Sequence, residues 1–404
     1  MKPRPPARPL PKEEQGHKPP WGITAACGFR LRREARHFRV RPRQCELALP
    51  AGLGRAGPSV ARASGLRRQR WQPITFMPSW LIKTAIQRTI SWLPRRQFWN
   101  GLLQTWVTKS TELDAKHFEE KLRECQRHVA AFQSLRPDLS EFRVLELGTG
   151  WFPIIPAGLY LCGARELRTI DIEPLLRRKH LQRMLEAFCA CEQSGELRRT
   201  LPGYRAERMD RLRALLPRAL REEPAALLRE LDIEVLVGDA QRLALPGQAI
   251  DFFISSGVLE CIPRPVLEGI LAESRRVAAP GAVMSHRLNL ADQFSYFDSS
   301  ITAFNFLRYT EGQWRWRNSP MTWQNRLRIP EYRQMFKAAG FEVVREENVS
   351  GRAEDLARIK LAPPFERYRL EDLLVLHSFL TARLAPAGEG GLSDKGERRP
   401  SSDS

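Results

Sequence analysis

At 404 residues the chain is long enough for two or three average domains, and its 42% hydrophobic content is that of a globular protein rather than of a disordered one. A formal net charge of +19 points at first to nucleic acid or an anionic membrane. Residues 1–76, however, hold 17 Lys and Arg against 4 Asp and Glu and so carry 13 of those 19 charges, which leaves the remainder only mildly basic.

Residues 1–76 are rich in Pro, Gly, Ala and Arg and show neither a helical nor a strand period. They lack the apolar stretch of a secretory signal. Two readings stay open: a disordered basic arm, or an upstream extension with the natural start at Met77, where the composition changes abruptly. The seven cysteines are odd in number and contain no Cys-x-x-Cys, which argues against a disulfide framework and a zinc site and for a reducing, cytoplasmic compartment.

Residues 78–93 (PSWLIKTAIQRTISWL) have a helical apolar period flanked by basic residues. They read as a helix packed on its own domain or as a peripheral membrane contact. A second helix is expected from about Glu112 to Leu135, so that 77–138 forms an N-terminal helical segment. No stretch of the sequence is long and apolar enough to span a bilayer.

Residues 143–147 (RVLEL) read as a strand that runs into Gly148-Thr149-Gly150 and then a helix. Strand, glycine turn and helix open a doubly wound nucleotide-binding sheet, the glycines letting the backbone turn tightly beside a ligand. The next strand, LRTIDI at 167–172, reaches Asp171, a carboxylate able to accept both hydroxyls of a ribose. Pro153 stands where a dinucleotide-binding turn requires its third glycine, and Glu146 would set negative charge near a pyrophosphate. A phosphate-free, positively charged cofactor tolerates both.

With these residues in view, VLELGTG resembles the first motif of class I S-adenosylmethionine-dependent methyltransferases. The segments IDIEP (170–174), VLVGDA (235–240), IDFFISSGVLE (250–260), RRV…PGAV (275–283) and GFEVV (340–344) resemble their later motifs in the expected order. The resemblance implies a Rossmann-like α/β sheet, mostly parallel with an antiparallel last strand, over 139–384. It also implies S-adenosyl-L-methionine as cofactor and methyl transfer to an unidentified small-molecule, lipid-linked or glycan acceptor. The cofactor residues it implies are Glu146, Gly148, Thr149, Gly150, Asp171, Ile172, Asp239, Ala240 and Ser255, with Asp239 on the adenine amino group. The fourth motif ends Glu260-Cys261, where the family often has Glu-His. A non-catalytic scaffold of the same fold, contacting nucleic acid through the basic arm, is the alternative.

Ligands of such a sheet sit beyond the carboxyl ends of its strands. His286 and Asp292, after the fifth strand, are therefore the candidates for a general base and its orienting acid. Tyr296 from an aromatic-rich insertion at about 294–328, and Arg326 and Arg328 beyond it, are candidates for the acceptor site. That insertion reads as a substrate cover or as a local core. A long Arg-rich connection at about 194–232 reads as a lid, a partner surface or a solvated helical pair. Residues 385–404, rich in Gly, Ser and charge, are expected to be disordered. No metal site and no obligate nucleic-acid partner are expected, and the oligomeric state is open.

Overall fold

The computed structural model describes residues 113–386 except 297 and 319–322. The basic extension, the helix expected at 78–93 and nearly all of the C-terminal tail lie outside the described residues.

The first described element is helix α1 (Ala115–Leu135), whose start is fixed by the Asp114 carboxylate accepting from the His117 N–H at 2.8 Å. Strand β1 (Arg143–Leu147) and helix α2 (Ile154–Leu161) follow, then β2 (Arg165–Asp171) and α3 (Arg178–Gln193). The long connection folds as α4 (Glu196–Thr200), α5 (Ala206–Ala214) and α6 (Pro224–Arg229) before β3 (Ile233–Val237). Strand β4 (Ile250–Ser256), α7 (Arg264–Val277) and β5 (Ala278–Asn289) complete the parallel part. After it come α8 (Glu311–Arg317), α9 (Ile329–Ala338), β6 (Phe341–Ser350), α10 (Ala353–Leu356), α11 (Leu370–Leu374) and β7 (Val375–Leu384).

The seven strands lie in the order β3-β2-β1-β4-β5-β7-β6, with β7 antiparallel to both neighbours and the rest parallel. The antiparallel ending expected from residues 340–344 is present, but β7 enters between β5 and β6 after a 24-residue excursion instead of following as a tight hairpin. Every residue of β4 is buried, as a central strand covered on both faces requires. Pro280 and Gly281 lie within β5 rather than in a turn before it, at the place where its register with β4 shifts.

Two cores flank the sheet. One holds α1 to α6, with Phe132 between Phe142 and Phe252 at ring separations of 4.7 and 4.8 Å. The other holds α7 and α9. The Arg-rich connection packs one face on the sheet layer: Leu197, Met209, Leu212, Leu227 and Leu228 are fully buried in the first core. Each such side chain contributes roughly 2 kcal/mol, and the arginines lie on the outer side. Several of them tie the layer to itself, Arg218 to Glu222 and Glu230 and Arg199 to Glu196. The aromatic insertion is a local core: Phe294, Phe304, Phe306, Leu307 and Trp314 pack with Phe365 and Leu373. Among the described residues no helix is long and apolar enough to cross a membrane. Cys125, Cys162, Cys189 and Cys191 are free thiols.

Helix α1 is pinned to the sheet by polar contacts as well as apolar ones. The His128 ring lies 2.9 Å from Ser285 Oγ and 3.0 Å from Ser256 Oγ, bridging β5 and β4. Glu124 accepts from Lys121 at 2.9 Å and pairs with Arg287 at 3.2 Å, with Glu124 and Arg287 each only 3% exposed. Burial opposes the charge on Glu124, yet Lys121 and Arg287 hold its carboxyl down at about 2. Removing one member of a buried pair costs more than replacing both. Glu124→Ala is therefore expected to lower stability to urea by about 3–5 kcal/mol, and Glu124→Leu combined with Arg287→Met by clearly less. A double variant as unstable as the single one would show that the pair itself is not what holds α1.

Candidate active site

The turn after β1 meets the end of β2. Gly148 and Gly150 adopt φ of +85° and +63°, in the left-handed region. A Cβ at Gly148 would also collide with the Val258 Cγ2 methyl from the loop after β4. The Gly150 N–H donates to Asp171 Oδ2 at 3.0 Å, and the Glu173 N–H donates to Asp171 Oδ1 at 3.2 Å. The acid that ends β2 is thus aimed by two backbone groups, with lone pairs left over for a diol. Burial raises its pKa, opposed by the donors at Gly150, Glu173 and Ile172.

A cavity of about 110 Å³ opens beside it, bordered by Thr149, Gly150 and Asp171, by residues 173–176 and 235–237, and by residues 223–225 of the Arg-rich connection. Three of the lining residues, Asp171, Glu173 and Glu223, are acidic, and none is basic. Such a wall repels phosphate and suits a ligand that offers hydroxyl, amino or cationic groups.

The expected cofactor residues divide. Thr149, Gly150 and Asp171 border the cavity. Glu146 is buried beneath it, accepting from Thr169 Oγ1 at 2.7 Å, while Thr149 Oγ1 lies 2.7 Å from the same hydroxyl. Burial raises the pKa of the Glu146 carboxyl, with the Thr169 hydroxyl pulling the other way. Ile172 projects into solvent, 80% exposed. Asp239 does not border the cavity: its carboxylate accepts from Gln241 N at 2.9 Å and from Gln241 Nε2 at 3.0 Å. Ala240 packs against the second core. Ser255 turns away from β1 and hydrogen-bonds the His286 ring at 2.8 Å.

Along β5 the side chains alternate. Ser285 and Arg287 face α1, while Met284, His286 and Leu288 face α7 and α9. His286 therefore lies in the interior, 1% exposed, edge-on to Phe336 at 5.4 Å, and burial lowers its pKa to about 3. Asp292 does not orient it. Its oxygens take the Phe294 N–H at 2.9 Å and the Asn305 amide at 3.1 Å, fixing the start of the aromatic insertion. Arg326 and Arg328 also serve the backbone. Arg328, 0% exposed, donates to the carbonyls of Leu290 (2.8 Å), Leu373 (2.9 Å) and Val375. Arg326 donates to Phe306 and Tyr309 and pairs with Glu311. Neither faces an acceptor.

Tyr296 does lie at the strand ends, its hydroxyl donating to Asn289 Oδ1 at 3.1 Å. Around it the fold gathers Arg287 and Glu260, which the sequence reading did not single out as site residues. Glu260, in the turn after β4, accepts from the Asn289 N–H at 3.2 Å through Oε1, while Oε2 is buried without a hydrogen-bond partner. Burial raises its pKa to about 7, with Arg287 pulling the other way. The signals available were the motif position of Glu260 and the strand alternation that places 285, 287 and 289 on one face.

Strand order, glycine turn and the acid ending β2 together give the fold of the class I S-adenosylmethionine-dependent methyltransferases. Residues 189–285 match the family model described as a methyltransferase domain. Solved structures similar to this chain include one from the complex containing the Haloferax volcanii Trm112 methyltransferase activator, at 16% identity, 69% of this chain, 96% of that one and a TM-score of 0.36. Others are S-adenosylmethionine-dependent methyltransferases from Mesorhizobium loti (13%, 63% and 96%, 0.33) and Aquifex aeolicus (15%, 68% and 100%, 0.32). No curated protein matches the chain.

A carboxyl raised from 4.5 in the unfolded chain to about 7 in the folded one stabilises fully below 4.5 and loses that contribution as pH rises through 7. Glu260→Gln, which does not titrate, is therefore expected to gain about 3 kcal/mol over the parent between pH 4.5 and about 8 in urea denaturation. Parallel profiles for the two proteins would refute the raised pKa.

Proposed function

We propose that this protein binds S-adenosylmethionine across the ends of β1 and β2 and transfers its methyl group to a small-molecule, lipid-linked or glycan acceptor held at the ends of β4 and β5. The observation that carries the reading is Asp171, aimed by the Gly150 and Glu173 amides into a cavity with acidic walls and no basic side chain. That chemistry fits a phosphate-free nucleoside cofactor.

The cofactor supplies an electrophilic methyl group on a sulfonium, so the protein's task is to align the acceptor and exclude water. Asp171 accepts the ribose hydroxyls. Gly148 and Gly150 keep the turn free of side chains where the cofactor lies. On the acceptor side, Tyr296, Asn289 and Arg287 form a polar cluster beside Glu260. An oxygen or nitrogen acceptor that carries a proton needs a base. His286 is too acidic as its imidazolium to hold a proton near neutral pH, and Asp292 has both oxygens engaged. Glu260 combines a vacant oxygen with a pKa near neutrality, and so takes the role expected of His286.

Calorimetric titration of the full chain with S-adenosylhomocysteine is expected to show micromolar binding, and Asp171→Ala to weaken it about 100-fold, the worth of two charge-assisted hydrogen bonds. No binding to a folded parent would end the methyltransferase reading.

A further inference from the structure

Two buried carboxylates lie near the Arg287 guanidinium, and they are held differently. The turn that carries Glu260 leaves β4 at Ser256, the register partner of Arg287, and its Gly257 N–H donates to the Arg287 carbonyl at 2.9 Å. Two residues further along β5, the Asn289 N–H donates to Glu260 Oε1 at 3.2 Å. Helix α1 brings the second acid, Glu124, whose Oε1 lies 3.2 Å from Arg287 Nε and whose Oε2 accepts from Lys121 at 2.9 Å. Glu124 thus has both oxygens engaged, whereas Glu260 keeps Oε2 buried without a hydrogen-bond partner.

Arg287 cannot turn to water instead. It is buried, and its register partner on β7 is Phe379, whose ring packs against His128 of α1 at 4.8 Å. A guanidinium does not give up its proton, so its charge has to be answered by protein groups. The remaining titratable groups nearby are neutral at pH 7. Tyr296 donates to Asn289 Oδ1, and Tyr332 of α9 donates to Asn325 Oδ1 at 3.2 Å. His377, the register partner of Asn289 on β7, is held neutral by burial, with Arg287 acting the same way. On α1, Lys121 and His128 act on Glu124 itself. The choice of acid for Arg287 therefore lies between Glu124 and Glu260.

We propose, resting on the methyltransferase reading above, that Glu124 is a positioning residue for the acceptor side: by holding the Arg287 guanidinium it leaves Glu260 Oε2 unpaired and able to take the proton of a hydroxyl or amino acceptor. Glu260 takes that proton as the acceptor's lone pair moves to the methyl carbon and the carbon–sulfur bonding pair stays on sulfur. A Glu260 paired directly with Arg287 would be a weaker base, because an adjacent cation favours the anion. Glu124 acts through Arg287 and needs no contact with the acceptor.

The test is the pH dependence of stability in urea, measured on the full chain as the difference between Glu260→Gln and its background. In the parent background that difference grows from about pH 4.5 and levels off above about 7, where Glu260 titrates. In a Glu124→Gln background Arg287 is left to Glu260, and the levelling-off point is expected to fall by about one to three on the pH scale. In an Arg287→Met background, where Glu124 keeps its Lys121 partner, the point is expected to rise above the parent's, which keeps the idea open to refutation if Glu124→Gln does not fold. A point that neither background moves, in a parent that binds S-adenosylhomocysteine, would overturn the proposal alone. A folded parent that binds no S-adenosylhomocysteine would overturn the methyltransferase reading and the proposal with it.

Discussion

Because β1 hydrogen-bonds to β2 on one side and to β4 on the other, all parallel, the chain leaves β1 toward one half of the sheet and must return to build the other. The loops after β1 and β4 consequently diverge over a crevice at the carboxyl edge. Everything that makes a site here follows from that geometry. The glycine turn fills the crevice floor, and the loop after β4 closes on it so tightly that Val258 leaves no room for a Cβ at Gly148. The next strand over delivers Asp171 beside Gly150. A side chain at Gly148 would have to displace Val258, so the glycine turn and the loop after β4 are packed directly against each other.

The parts of this arrangement that could be read from sequence are those in which one short segment determines its own conformation. RVLEL followed by GTG, the acid at 171 and the apolar run at 250–256 each specify their strand or turn locally, and the sheet that they form is the one expected. The misplacements concern side chains whose partners come from far along the chain. His286 and Arg287 are adjacent, and only the pleat decides which one faces α1. The unbroken burial of residues 282–289 hides that choice from any polar–apolar alternation. Arg326 and Arg328 look solvated in a local window, because the carbonyls that they serve lie 17 to 47 residues away. Asp239 matches a motif position, but its neighbour Gln241 claims the carboxylate. That Glu223 borders the cavity had no local sign at all, since it depends on how α6 packs against β3.

Buried titratable groups show how differently the two faces of β5 are used. Toward α7 and α9 the burial of His286 is nearly apolar, which makes it a neutral spacer bonded only to Ser255. Toward α1 the protein sets Glu124 against Arg287 and Lys121, and here the carboxyl stays ionised although it is just as deeply buried. Glu260 lies near the same arginine but has no direct ion pair with it among the described residues, and its pKa settles near neutrality. Where the guanidinium is engaged by Glu124 the charge is stabilised outright, and where it acts only through space it merely tempers the cost of burial.

The strongly basic composition is not mirrored in the lining of the cavity, which holds no basic side chain. In the connection from α4 to α6 the arginines are spent on local acids and on carbonyls: Arg208 on Tyr160 and Ala164, Arg211 on Glu230, Arg213 on Glu192 and Asp210. Guanidinium groups used in this way tie the layer to itself, and they leave the acids not so matched, Glu223 among them, to define the character of the adjoining cavity. A chain that is positive overall thereby presents a negative surface at its site, and net charge by itself is a poor guide to what that site binds.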